Sequence, residues 1–462
     1  MEAAAVVLSP QAARWTLVAT ILGASIAFID GTVVNVALPA IQRDLGGGLA
    51  AQQWVVDAYL LTLGSLILVG GSLGDIFGEV RMFTLGVVLF GVASVLCAVA
   101  PDSTTLIVFR GIQGIAGALL TPASLAVLTS SFSGDERGAA IGTWTAWTSI
   151  GIVVGPLLGG WLIGISSWRV IFLINVPIAI ATIVLVHRHV PQSASRRKDV
   201  RIDHIGALLC AVGLGALVFG FIEQPRLGWG DPMVIGSIAG GLAFLVAFVV
   251  YEMRTPMPML PLRLFARRNF SVTNVETFVV YGGLSAWGFF LTLFLQQLSG
   301  YSPFRSGLAT IPLTIGVFLL SRYFGRLSMR YGPRLFMAAG PLLGGASIFA
   351  LTRLPVHFNY WRDLFPPLVG FAIALSLTVA PLTTTVLSDA GPSDAGIASA
   401  VNNAVARIAG LIAIAAIGIA AAGGTDHLSA HGFHRAMAVV AVLVGLGGVL
   451  GAVGIRNVQQ QH

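Results

Sequence analysis

The chain has 462 residues, 56% of them hydrophobic and only 10% charged, with a formal net charge of +7. Soluble proteins carry roughly 25% charged residues, so this composition excludes a soluble globular enzyme. The 26 basic residues are spread over short loops, the pattern by which a membrane protein is oriented rather than a nucleic-acid patch. Cys97 and Cys210 stand in separate apolar runs without a CxxC or histidine pattern, which supports neither a disulfide framework nor a zinc site.

The first fourteen residues, MEAAAVVLSPQAAR, lack a basic region followed by an apolar core and a small-residue cleavage site, so the first apolar stretch is expected to be a retained helix. About twenty apolar residues cross the hydrocarbon core as a helix. On that rule the chain predicts fourteen spans, at about 15–38, 52–72, 82–100, 105–128, 139–164, 168–187, 204–222, 233–252, 270–298, 305–323, 334–352, 363–387, 394–420 and 433–454. With the N-terminus in the cytoplasm, seventeen basic residues fall on the inner side and seven on the outer, with Arg110 and Arg407 inside spans. This asymmetry predicts that both termini are cytoplasmic.

Helix 1 contains AFIDGTVVNVALP, in which Asp30 lies about eight residues below the outer end; a charge at the centre of a membrane helix costs roughly 2.5 to 3.5 kcal/mol. Asp57 in helix 2 (WVVDAYLL) and Arg110 in helix 4 each lie about five residues below the outer end. At 1.5 Å per residue the three share a layer roughly 8 to 12 Å deep. If they converge, Arg110 neutralises one carboxylate and desolvation disfavours the charged form of the other. Asp30 and Asp57 are therefore the expected proton-coupling pair, with Arg110 biasing them; a packing knot is the alternative. In helix 5, Gly151, Gly155 and Gly159 recur on one face, beside Pro156 and Gly160, and allow another backbone to approach closely. Glu276, about six residues into helix 9, is either a further proton or substrate site or a helix-end carboxylate balanced by Arg267 or Arg268.

Trp144 and Trp147 on helix 5 and Phe289, Phe290 and Phe294 on helix 9 could offer ring faces to an amphipathic cation. Asn402, Asn403 and Arg407 form a polar strip on helix 13, with Asn403 assigned to the substrate cavity. HLSAHGFH (His427 to His434) has i, i+4 histidines but is read as a solvated outer loop.

Two loops match at an offset of 254 residues: GSLGDIFGEV after helix 2 and GRLSMRYGPR after helix 10. Parallel six-helix repeats with one inserted pair, helices 7 and 8, would produce that offset. The expected division is a six-helix half at 1–190, a linker with the inserted pair at 191–260, and a second half at 261–462. HRHVPQSASRRKDVRIDH (His187 to His204) is the solvated linker.

At this point the chain resembles the fourteen-helix drug:proton antiporters of the major facilitator superfamily, over nearly its whole length. DGTVVNVALPAI (Asp30 to Ile41) resembles the helix 1 signature of that group. GSLGDIFGEVR (Gly71 to Arg81), FRGIQGIAGALLTPASLAVL (Phe109 to Leu128), GIVVGPLLGGWL (Gly151 to Leu162) and SWRVIFLINVP (Ser167 to Pro177) resemble its later motifs. The resemblance implies an all-α integral membrane protein of the major facilitator fold, with two pseudo-symmetric halves moving by alternating access. It implies proton-driven export of hydrophobic compounds, cationic ones among them, across the cytoplasmic membrane. Gly71, Gly74, Asp75, Gly78 and Arg81, with the helix 5 motif, would serve gating. One departure stands out: Ile76, Glu79 and Val80 replace residues that are usually basic, so the standard charge relay in that loop is not expected.

No cofactor is expected, because GxxxxGK[ST] is absent and the proton gradient supplies the energy. The expected partners are a small-molecule substrate, protons and the lipid bilayer, with no nucleic acid, and the architecture can work as a monomer. A dedicated exporter of one metabolite or self-made antibiotic would carry the same motifs. An intramembrane enzyme would need a nucleophile–base pair or metal cluster at depth, and a sensor would need a soluble output domain; neither is seen in the sequence.

Overall fold

The computed structural model describes residues 9–132, 134–191, 202–391, 394–423 and 427–457. Among these residues thirteen helices are long and apolar enough to cross a membrane, and a further helix contributes the apolar segment Val154–Ile165. In chain order the fourteen are α1 (Pro10–Leu45), α2 (Gly48–Phe77), α3 (Glu79–Ala98), α4 (Ser103–Ser131), α5 (Gly134–Ile165), α6 (Val170–His189) and α7 (His204–Leu227). They continue as α8 (Pro232–Arg254), α9 (Arg268–Leu298), α10 (Pro303–Tyr331), α11 (Pro333–Arg353), α12 (Tyr360–Ala390), α13 (Ala395–Ala422) and α14 (Ala430–Gly454). Residues 192–201, the core of the expected linker with Arg196, Arg197, Lys198 and Arg201, lie outside the described residues.

Several helices run past the predicted spans, because an apolar count marks only the hydrocarbon-crossing part while caps decide the ends. Gly46, Gly47 and Gly48 all have positive φ (76°, 95° and 63°) and turn α1 into α2. Asp102 caps α4: its carboxylate accepts the Thr105 N–H at 2.9 Å and the Thr105 hydroxyl at 2.7 Å. Those two bonds hold the Asp102 carboxyl below its ordinary pKa. The two matching loops share one backbone device, since Gly78 (φ 99°) ends α2 and Gly332 (φ 83°) ends α10. A side chain is disfavoured in that left-handed conformation.

The chain forms two compact units. The first comprises Met1–Gly47, Trp54–Val212 and Arg254–Met259; the second comprises Gly48–Gln53, Gly213–Met253 and Leu260–His462. In the first unit α1 packs against α4, α5 and α6, and α3 packs against α4 and α6. Phe83, Phe90, Val87, Leu120 and Val127 form its apolar core. In the second unit α9 packs on α13 and α14, α12 on α10 and α11, and α11 on α14.

Small residues set the closest approaches, as expected where lipid supplies no hydrophobic drive between helices. A Cβ on Gly70 would overlap the Ala118 carbonyl of α4, whereas one on Gly74 would meet nothing within 4 Å. The close approach between α2 and α4 therefore falls at Gly70, while Gly71 is 4.0 Å clear of its nearest neighbour, Pro122. Gly70→Ala is expected to cost about 1–3 kcal/mol by overpacking, and Gly74→Ala none of it. Thermal unfolding in detergent would check this contrast; equal shifts for both variants would contradict it.

Guanidinium groups answer the carbonyl ends of helices in the second unit. Arg268 donates to Gly454 O at 2.8 Å and Val453 O at 3.0 Å, Arg334 to Ala452 O at 2.7 Å, and Arg267 to Asp389 O. These bonds satisfy acceptors that a helix leaves unpaired and place positive charge at the negative end of its dipole.

Candidate functional site

Asp30 and Arg110 are both fully buried and meet as an ion pair, with Arg110 Nη1 donating to Asp30 Oδ2 at 2.5 Å. Of the three charged groups, these two converge. Arg110 also donates from Nε to Val55 O of α2 at 3.0 Å and from Nη1 to Gln113 Oε1 at 2.7 Å. Its guanidinium lies 4.4 Å from the Tyr59 ring centroid. The other carboxylate oxygen, Asp30 Oδ1, accepts from Gln113 Nε2 at 3.0 Å and Asn175 Nδ2 at 3.2 Å. Ser94 on α3 accepts from the same two amides at 3.0 and 3.2 Å, and the Cys97 thiol reaches Gln113 Oε1 at 3.5 Å. Five helices, α1, α2, α3, α4 and α6, thus converge on one polar cluster around the ion pair, in which Asn175 Oδ1 is left without a hydrogen-bond partner among the described residues.

Gln113, Ser94 and Asn175 were not anticipated as members. Gln113 is legible in retrospect, because it sits one turn from Arg110 and shares its face. Asn175 lies 145 residues from Asp30 and its pairing is purely tertiary; it opens the helical segment Asn175–His189 just after the break at Ile174.

Asp57 is equally buried, yet neither carboxylate oxygen has a hydrogen-bond partner among the described residues. Arg110 does not reach it. Tyr59, which lies under Arg110, is two residues farther along α2 and so about 200° around the helix from Asp57. Asp57 instead shares the face of Gln53, one turn earlier on α2.

Glu276 on α9 is a corresponding orphan in the second unit: it is fully buried and neither of its oxygens has a hydrogen-bond partner among the described residues. The alternative reading, a carboxylate balanced by Arg267 or Arg268, is overturned because both arginines bind backbone carbonyls. Polar groups close to Glu276 in sequence are tied to α13, where Asn402 donates to Asn274 Oδ1 at 3.1 Å and Thr277 Oγ1 at 2.8 Å. Asn403, expected in the cavity, is exposed and turns back on its own helix to Ser399 O at 3.0 Å. The polar strip is thus split, and Asn402 joins α13 to α9. Arg407 lies in electrostatic range of Tyr281 on α9.

The glycine face of α5 finds its partner in α1. A Cβ on Gly151 would come within 3.2 Å of Ile29, and Cβ atoms on Gly155 and Gly159 would overlap Thr32 and Val33 side chains. Gly160 is also buried. The turn of α1 that carries Asp30 is therefore held between a smooth α5 face on one side and the polar cluster on the other.

Among the aromatic candidates, Trp144 donates its indole N–H to Ser124 Oγ at 3.0 Å and meets Phe28 edge-on, while Trp147 is 57% exposed. Phe289, Phe290 and Phe294 are a correction. All three are fully buried, Phe294 stacking on Phe433 at 4.1 Å, so they are core and present no face to a cavity. Apolar periodicity cannot distinguish the two roles.

In the helix 2/3 loop, Asp75 and Arg81 have no ion-pair or hydrogen-bond partner among the described residues. Glu79 opens α3 and accepts the Ser130 hydroxyl of α4 at 2.5 Å, while Val80 is buried in the core of the unit. The departures at these positions thus exchange a charge relay for an α3–α4 tie. In SWRVIFLINVP, Trp168 and Arg169 both bind Asp44 at the end of α1, at 2.9 and 2.5 Å. No group of three or more His, Cys, Asp or Glu able to hold a metal occurs among the described residues.

These features define a multi-pass α-helical membrane protein with an ion pair enclosed in one unit and isolated carboxyl groups in both. The chain belongs to the Major Facilitator Superfamily, whose family model matches residues 20–414. It is 36% identical over 440 residues to the puromycin resistance protein of Streptomyces alboniger, covering 93% of this chain and 86% of that one. It is 34% identical over 407 residues to the multidrug resistance protein Stp of Mycobacterium tuberculosis, covering 87% and 75%. The tetracenomycin C resistance and export protein of Streptomyces glaucescens is 31% identical over 409 residues, covering 87% and 75%. In fold, the chain is similar to a peptide transporter POT solved with sulfate (TM-score 0.71, 14% identity, 96% of this chain and 94% of that one). It also matches a D-xylose–proton symporter (TM-score 0.68, 15% identity, 96% and 98%).

Proposed function

We propose that this protein exports hydrophobic compounds, cationic ones among them, across the cytoplasmic membrane in exchange for protons. The observation that carries the reading is a division of labour between carboxyl groups. Asp30 is already answered by Arg110, Gln113 and Asn175, whereas Asp57 stands buried with no donor and no counter-ion among the described residues. A fully buried charge without a partner costs several kcal/mol. While Asp57 is occluded it must therefore hold a proton or a cationic substrate, and it exchanges one for the other when opened to water. That requirement is coupling: the bundle cannot cross its occluded state with the carboxyl bare. Glu276 meets the same condition in the second unit and is proposed as a second group of this kind.

Asp30 and Arg110 then form a fixed pair rather than a carrier. The α1–α5 contact through Gly151, Gly155 and Gly159, beside Pro156, is proposed as the sliding surface by which movement reaches that pair. The cytoplasmic placement of both termini, the two six-helix halves with an inserted α7–α8 pair, action as a monomer, and the absence of enzymatic activity and of a bound cofactor belong to the same proposal. Relatives named for single antibiotics, puromycin and tetracenomycin C, favour a second reading in which one compound is the physiological cargo.

The test is flux in proteoliposomes with an imposed pH gradient, using puromycin and ethidium as probes. Gradient-dependent movement of either, abolished by a protonophore, is the expected result. Movement indifferent to the gradient would refute proton exchange, and preference for puromycin alone would favour the single-cargo reading.

A further inference from the structure

Arg322, Arg326 and Arg330 stand one turn apart on α10 and all three are exposed. At 1.5 Å per residue they form a ladder about 12 Å long on one helix face. None has a hydrogen bond or ion pair with a described residue; Arg330 merely lies 5.5 Å from the ring centroid of Tyr331. This sets them apart from Arg263, Arg267, Arg268 and Arg334 of the same unit, each engaged by a carboxylate or by helix-end carbonyls. No Asp or Glu occurs between Glu276 and Asp363, so the neighbouring sequence offers no counter-ion. The fold does not require the ladder either. At the offset of 254 residues that aligns the two matching loops, the equivalent positions are Leu68, Ser72 and Ile76.

The same face continues away from the helix end as Ile315, Phe318 and Leu319, which are 51%, 65% and 65% exposed. Three unanswered guanidinium groups adjoining an open apolar stripe match one kind of ligand, an anionic head attached to acyl chains. Guanidinium groups bind phosphate oxygens in a fork geometry that a single ammonium cannot offer, and basic residues at a membrane surface attract anionic lipid headgroups. We propose that Arg322, Arg326 and Arg330 form a binding site for the phosphate headgroup of an anionic phospholipid, with its acyl chains lying along Leu319, Phe318 and Ile315.

The purified protein would be titrated in detergent with phosphatidylglycerol or phosphatidylcholine and its bound lipids counted by native mass spectrometry. The wild type should bind phosphatidylglycerol at least about ten-fold more tightly than phosphatidylcholine. The R322Q/R326Q/R330Q variant should lose that preference, and a control with the same change in charge, R14Q/R188Q/R254Q, should keep it. Equal binding of the two lipids by the wild type, or an equal loss in the control, would overturn the site. Inorganic phosphate competing as well as the lipid would assign the ladder to a free anion and overturn the lipid reading. Hydrogen exchange on the wild type, free of any folding defect in a variant, provides a second measure: residues 318–331 should be protected in phosphatidylglycerol nanodiscs relative to phosphatidylcholine nanodiscs. No difference there would also overturn it.

Discussion

Replacing Asp57 with asparagine is expected to abolish gradient-driven export while leaving the protein folded. Asparagine has the shape of the protonated carboxyl and carries no charge, and no hydrogen bond is lost because Asp57 makes none in the structure. Removing a positioned proton-transfer group typically costs about 10²–10⁴-fold in rate, so gradient-driven flux should fall at least about a hundred-fold. Unfolding in detergent should be unchanged, or slightly later, since the variant removes the cost of a buried ionisable group. Exchange of labelled for unlabelled substrate without a pH gradient should survive for an uncharged substrate, which needs neither the proton nor the carboxylate. Proteoliposome flux measured both ways checks the prediction. Retention of gradient-driven flux by Asp57→Asn would eliminate this residue as the carrier and turn attention to Glu276, whose two oxygens are also unpartnered among the described residues.

Asp30→Asn should fail differently. The ion pair of Asp30 and Arg110 is wholly buried, and removing one member leaves a charge inside the bundle with no counter-ion. Breaking such a pair costs about 3–5 kcal/mol, whereas replacing both members together is often close to neutral. Asp30→Asn is therefore expected to lower the unfolding temperature sharply and to reduce the yield of folded protein. Asp30→Asn combined with Arg110→Gln should recover most of that stability and no transport. A double variant as unstable as the single one would show that the loss does not come from the stranded guanidinium. Unfolding of the three proteins, read together with flux, separates the fixed pair from the carrier: Asp57→Asn folds without pumping, whereas Asp30→Asn scarcely folds.

Much of this was legible in one dimension. Counting residues at a fixed rise was enough to expect that Asp30 and Arg110 could meet, and they do. Glycines at every fourth position of α5 announced a close neighbour, and the offset of 254 residues between two loops anticipated Gly78 and Gly332 at matching turns. Other features left no such trace. Phe289, Phe290 and Phe294 would read the same in a core or a cavity wall, because a membrane helix is apolar on every side. Asn402 and Asn403 are neighbours in sequence, but a rotation of 100° sends one to α9 and the other back to its own helix.

The sequence by itself determined that the chain crosses the membrane many times and which glycines permit close packing, since each depends on composition and helical rise alone. Only the tertiary structure decided which carboxylate Arg110 answers. That choice depends on rotation about each helix axis and on helices distant in the chain: Asn175 and Gln113 close the shell around Asp30, while Asp57 faces away and is left without a partner.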